Sequence, residues 1–337
     1  MEVHEVIDQL TTLLSKVARN KPFLGVSLSE PEDAEPVEVA EDLEECDPLP
    51  WFSYLDSSSR VISVRGANVY MASLYANLEG VHLTVPVDTS YPFLAIKGSG
   101  EVISEVESSP LSRFVRTKNV NGVPYDAGYK DDNILDELRI SLENVAISKS
   151  RRAIIDGPVF PGPYLPVVGE PYRSAYESLI RERRTENLVG IVKRLNMSRK
   201  LQRSELWKGE KGFTDDVVTL ELGRGRERYV TPVLREDFHL SSSTLTRYMV
   251  YVKVRDSVFR VESVSQDLLC SGVSTAIRHA SYRGIPDFIE VADSISRKLG
   301  ASVYLLSFIH AHSKLGVTYD EWNRLKLATL DLEVTSS

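Results

Sequence analysis

The sequence predicts an α/β protein: a mixed sheet core flanked by helices, with a helix at the N-terminus and further helices at the C-terminus. Three observations lead there. Four segments rich in β-branched and aromatic residues follow one another between 51 and 87, separated by turn-like clusters. Beyond 130, amphipathic segments alternate with short apolar runs such as NLVGIVKRL (187–195), as expected of strands covered on both faces. From about 285 onward, apolar residues recur at helical spacing. The chain has 337 residues, 42% hydrophobic, ample for one large core or two smaller ones.

Residues 2–19 read as an amphipathic helix, with Val6, Leu10, Leu13, Leu14 and Val17 on one stripe. Residues 27–50 hold ten acidic side chains and no Lys or Arg, so 1–50 is expected to be a helix plus an acidic, proline-containing arm, too charged to bury much. The main domain, 51–337, opens with the strands WFSYLD (51–56), RVISVRG (60–66), NVYMASLYANL (68–78) and VHLTVPV (81–87), with Asp-Ser-Ser, Gly-Ala-Asn and Glu-Gly as turns. Residues 131–147 then read as a helix with Leu135, Leu138, Leu142 and Val145 on its apolar stripe. SRRAIIDGP (150–158) is a short buried strand, 172–186 a second helix and 187–195 another strand. Strands at 217–223, 248–254 and 258–264 follow, then helices at 285–299 and 301–314 and a terminal helix after Thr318. Antiparallel strands followed by a helix and a returning strand make the layout of an RNase H-like sheet.

The longest apolar runs, such as VYLLSFI (303–309), are too short to cross a bilayer. The acidic N-terminus lacks the basic start of a secretion signal, so a soluble, cytoplasmic protein is expected. Two cysteines, Cys46 and Cys270, give no disulfide framework and no CxxC metal site. The net charge of −8 argues against a nucleic-acid partner, but removing the ten acids of 27–50 from that total leaves +2. Residues 173–208 carry ten Lys or Arg against four acids. Such a cluster either attracts a phosphate backbone or is a solvated, ion-paired surface.

Asp56 and Asp156 each close a short apolar run, where an open sheet gathers its ligands. Were their strands neighbours, the two carboxylates would converge and repel. A divalent cation with hard oxygen ligands, Mg²⁺ or Mn²⁺, removes that conflict. Two such ions can activate a water and stabilise the leaving oxygen in phosphodiester hydrolysis. A third carboxylate is expected from helix 131–147: Glu143 beside the apolar stripe, with Asp136 and Glu137 as alternatives. Lys193, closing the run LVGIV, is placed to hold a phosphate, or else simply reaches water from a strand edge. His310 and His312 are two apart on one helix and cannot clamp a metal together. His312 shares a face with Tyr304. GxxxxGK[ST], GxSxG and HExxH are absent, so no nucleotide is hydrolysed through a P-loop.

YLDSSSRVI, SLENVAI, AIIDGP and NLVGIVKRL, in that order, with Tyr304 and His312 in the later YLLSFIHAH, resemble the NurA nuclease family of archaea and bacteria. Length and acidic pI fit a hyperthermophilic archaeal member. The resemblance implies an RNase H-like homodimer that cleaves DNA with Mn²⁺ or Mg²⁺, as a 5′-to-3′ exonuclease and a single-strand endonuclease. It implies partnership with the hexameric ATP-driven translocase HerA in resecting double-strand breaks for homologous recombination. Carried over by position, Asp56, Glu143 and Asp156 would ligate metal, Lys193 would contact phosphate, and Tyr304 and His312 would complete the site. Pro158 stands where family members often carry Ser. The alternative is a non-catalytic adaptor of the same fold that binds DNA or the translocase, which would leave single-stranded DNA intact in Mn²⁺. A purely structural adaptor would show no DNA affinity.

Overall fold

The structure, a computed structural model, describes residues 37–333 apart from 44, 89, 162–168, 196–197 and 210–211, together with residues 9, 11 and 12. The N-terminal helix expected over 2–19 lies almost wholly outside the described residues.

The expected mixed sheet flanked by helices is present. Its strands are β1 (Glu38–Glu41), β2 (Ser53–Val64), β3 (Ala67–Leu78), β4 (Val81–Val85), β5 (Leu94–Gly98), β6 (Val115–Arg116), β7 (Ala153–Asp156), β8 (Leu188–Val192), β9 (Arg228–Val230), β10 (Val233–His239), β11 (Thr244–Val254) and β12 (Ser257–Ser263). They pair in the order β1-β10-β11-β12-β8-β7-β2-β3-β5-β6, with β4 also on β3 and β9 on β11. β7 runs parallel to both β2 and β8, whereas β2–β3 and β3–β4 are antiparallel. This centre is compatible with the RNase H-like layout.

One face of the sheet packs on α2 (Asp131–Lys149) and α3 (Tyr172–Glu182), through Leu55, Ile155, Leu138, Leu142, Tyr176 and Leu179. The other carries α5 (Gln266–Arg278), α6 (Asp287–Lys314) and α7 (Tyr319–Glu333), through Ile154, Ile191, Val273 and Ile289 in one cluster and Ile62, Met71, Tyr304 and Ala328 in another. Two further helices, α1 (Gly100–Ser108) and α4 (Asp215–Leu222), complete the described elements longer than a 3₁₀ turn. Among the described residues no helix is long and apolar enough to cross a membrane.

The structure departs from the sequence reading in several places. No turn occurs at Asp-Ser-Ser: β2 continues through it, paired with β3 from Tyr54 to Val64. VVTLELG is not a strand but most of α4, whose first turn carries Asp215 and Asp216 and which ends at Gly223. The helices expected at 285–299 and 301–314 are one helix, α6, that continues through Gly300. The acidic arm is not a free linker in its described part. β1 pairs antiparallel with β10, Val37 and Leu49 are buried, and Cys46 forms a disulfide with Cys270 of α5. The two cysteines, read as giving no disulfide framework, are joined, and Leu49 N–H donating to Thr275 Oγ1 at 2.8 Å lays the same segment against α5.

Candidate metal centre

Side chains alternate across a strand, so Leu55 and Ser57 face α2 while Asp56 faces α6. On β7 the same alternation puts Ile155 on the α2 face and Asp156 on the α6 face. β2 and β7 are parallel neighbours, with Leu55 opposite Ile155 in the register, so the two aspartates come together at the same end of adjacent strands. α6 closes over them. Its buried stripe of Ile289, Ala292, Ser296 and Gly300 approaches closely because the strands beneath offer small side chains. A Cβ on Gly300 would lie 3.0 Å from Ser73 Oγ and 3.4 Å from Ser58 Oγ. The result is a third carboxylate: one oxygen from each of Asp56, Asp156 and Asp293 lies within 4.8 Å of the others.

The surroundings fix these groups. Ser296 donates its hydroxyl to Asp56 Oδ2, and Ser73 holds the Ser296 backbone by donating to its carbonyl at 2.8 Å. Lys193, one residue beyond β8, places Nζ 2.6 Å from Asp156 Oδ2 and 3.3 Å from Asp293 Oδ2. Arg297 also pairs with Asp293. The backbone after Asp156 turns sharply through Gly157, at φ +143, and Gly157 N–H donates to Ile191 O at 2.9 Å. Gly190 lets that turn sit against β8, since a Cβ there would be 2.6 Å from Gly157 O.

Burial pushes the Asp56 carboxyl up to about 8, with the negative charges of Asp156 and Asp293 adding to it and the Ser296 hydroxyl opposing it. Asp156 is raised for the same first reason, burial, against the pull of Lys193. Several carboxylates held out of water are a poor arrangement alone and a good one around a divalent cation, which favours their ionised forms. The set is all hard oxygen, the chemistry that Mg²⁺ and Mn²⁺ take. These residues fit such an ion.

The structure brings Asp56, Asp156 and Lys193 together. It does not bring Glu143 to them. Glu143 is buried on the opposite face, accepting from Ser57 Oγ at 2.6 Å and from Arg183 Nη1 at 2.9 Å. Tyr304 lies 11 residues along α6 from Asp293, about 16 Å at 1.5 Å per residue. Its hydroxyl donates to Glu321 Oε2 at 2.6 Å, tying α6 to α7. His312 is farther still along the helix and packs edge-on against Phe308 and Trp322. The residue that sequence reasoning missed is Asp293. Its signal was an acid inside the stripe Ile289, Ala292, Ser296, Gly300 of a helix otherwise read only for its apolar face. The basic stretch 173–208 is largely consumed internally: Arg173, Arg181, Arg183, Lys193, Lys200 and Arg203 all sit in ion pairs.

The chain is similar to the crystal structure of the NurA nuclease from Sulfolobus solfataricus at 12% identity and a TM-score of 0.45, over 92% of this chain and 95% of that one. NurA bound to dAMP and manganese matches at 10% identity and 0.40, over 86% and 92%. NurA with manganese matches at 10% and 0.40, over 86% and 94%. A search of curated proteins finds no match. The NurA domain family model matches residues 55–297, a span that runs from the strand carrying Asp56 to the helix carrying Asp293, and the chain therefore belongs to the NurA nuclease family.

Proposed function

We propose that the protein is a metal-dependent deoxyribonuclease that hydrolyses phosphodiester bonds with Mn²⁺ or Mg²⁺. The observation that supports this most directly is the convergence of Asp56, which is buried, with the partly buried Asp156 and Asp293, and a lysine ammonium against two of the three. The three aspartates would hold the ion, which supplies Lewis-acid activation of water and charge stabilisation at the leaving oxygen. Ser296 fixes one oxygen of Asp56 and so leaves the other free to turn toward the ion. The Lys193 ammonium neutralises charge at the carboxylates and would contact the scissile phosphate as a point charge. Glu143, expected as a ligand, instead anchors β2 from behind through Ser57. Tyr304 and His312 serve the α6–α7 packing.

Family membership supports the finer reading. The enzyme acts on single-stranded DNA and duplex ends, as a 5′-to-3′ exonuclease and single-strand endonuclease. It works in the cytoplasm as a homodimer with the hexameric translocase HerA, in double-strand-break end resection. The test is incubation of labelled single-stranded DNA with Mn²⁺ or with EDTA, for wild type, Asp56→Ala and Asp293→Ala. Mn²⁺-dependent loss of substrate in wild type alone is expected. Undiminished cleavage by Asp293→Ala would remove that residue from the site, and undiminished cleavage by both variants would defeat the reading.

A further inference from the structure

Lys193 Nζ stands against two of the three carboxylates that would hold an ion, at 2.6 Å and 3.3 Å. An ammonium and a divalent ion cannot share those oxygens without strong repulsion in so dry a site. The lysine also lines a neighbouring cleft of about 340 Å³, with Arg194, Leu195, Asp216, Leu220, Asp256 and Val258. That cleft offers a second place for a cation. Asp216 Oδ1 is buried with no hydrogen-bond partner among the described residues, and Asp256 adds another carboxylate. Lys193 follows a strand end, touches the carboxylate cluster, lines this cleft as well, and has a four-carbon stem with freely rotating bonds.

We propose that Lys193 is a built-in occupant of the cation position, and that binding of a divalent ion displaces its ammonium into the cleft beside Asp216 and Asp256. The exchange deepens the metal-centre reading and rests on it. Without the ion, the ammonium keeps Asp156 and Asp293 compensated. With the ion, the ammonium is released from them and is held by the carboxylates of the cleft. The lysine thereby sets a threshold of ion concentration below which the site stays closed to metal.

The experiment is Mn²⁺ binding to the full chain without DNA, measured by calorimetry in alkaline buffer for wild type, Lys193→Met, Asp216→Asn, the double variant and Asp156→Asn. Lys193→Met keeps the length of the side chain and removes its charge. Its Mn²⁺ dissociation constant should fall by roughly 5- to 150-fold, the usual range for coupling between two ligands. Asp216→Asn should weaken Mn²⁺ binding in wild type and have no effect once Lys193 is Met, because the acceptor matters only to the displaced ammonium. Methylammonium added to Lys193→Ala should restore competition and weaken Mn²⁺ binding again. Equal or weaker binding by Lys193→Met, with Asp156→Asn still abolishing binding, would overturn the exchange and leave the metal centre standing. Absence of Mn²⁺ binding in both wild type and Lys193→Met would overturn both.

Discussion

At the scale of single residues, the site stores an electrostatic conflict that a cation relieves. Asp56 is pushed up to about 8 from an ordinary 3.8, first by burial. Between those values the metal-free native state keeps a proton that the unfolded chain has released. Metal-free stability from this group therefore declines as pH rises through the window. A cation that needs the carboxylate must displace the same proton, so Mn²⁺ affinity should increase up to about pH 8 and level off above it, as calorimetry across the window will read. Asp56→Asn keeps an acceptor for Ser296 and removes the charge. It should stabilise the metal-free protein at pH 8 by roughly 1–2 kcal/mol, as site residues do when function and stability compete. It should also slow cleavage on the order of 10²–10³-fold, the scale of losing one preorganised charged contact. An unchanged melting temperature would contradict the conflict. Asp56, Asp156 and Lys193 were legible in the sequence because a charge that interrupts an apolar run needs a reason. Glu143 was placed beside the apolar stripe and is buried, but strand alternation turns its partner Ser57 away from Asp56. Asp293 was obscured because helical acids are common and only tertiary packing brings this one against a strand.

At the scale of elements, the site depends on how closely neighbours approach. Gly190→Ala would put a Cβ 2.6 Å from a backbone oxygen of Gly157, which has no rotamer with which to yield. The turn after Asp156 must shift. The variant should lose about 1–3 kcal/mol to overpacking and lose cleavage alongside, measured by denaturant unfolding and by the DNA assay. A second element-level device lies across β10–β12, where Arg247 pairs with Glu236 and Glu262, and Arg260 with Glu262. Glu262 is fully buried and, against the cost of that burial, its carboxyl is held below the ordinary range by the two arginines. Glu262→Gln leaves both guanidiniums undercompensated and should cost about 3–5 kcal/mol in denaturant unfolding. The same packing explains which elements could be read from sequence. Strands β3 and β12 and helix α2 were clear from their periods. Asp-Ser-Ser looked like a turn, yet β3 supplies partners along the whole of β2 and overrides it. Gly300 looked like a break between helices, yet it is where α6 meets Ser58 and Ser73. VVTLELG was read as a strand on β-branched content, against helix signals at Asp215, Asp216 and Gly223.

At the scale of the whole molecule, the described part of the acidic arm, from Val37 onward, is integrated with the fold instead of packing loosely. β1 adds four exposed residues to the edge of the sheet, a length with little power to hold a charged segment by hydrogen bonds alone. The Cys46–Cys270 disulfide spans 224 positions and fixes that edge to α5. Closing so long a loop restricts the unfolded chain, and stabilisation of about 2–4 kcal/mol is the typical outcome. The metal centre is built on β2, β7 and α6, none of which carries either cysteine. Cys46→Ser with Cys270→Ser should therefore lower unfolding stability by about that amount while leaving Mn²⁺ affinity unchanged at temperatures where the chain stays folded. The comparison is denaturant unfolding with and without reductant, beside Mn²⁺ calorimetry on the same variant. Loss of Mn²⁺ binding in a folded variant would mean that the arm and the site are coupled through α5, and would join the two halves of the sheet into one mechanical unit.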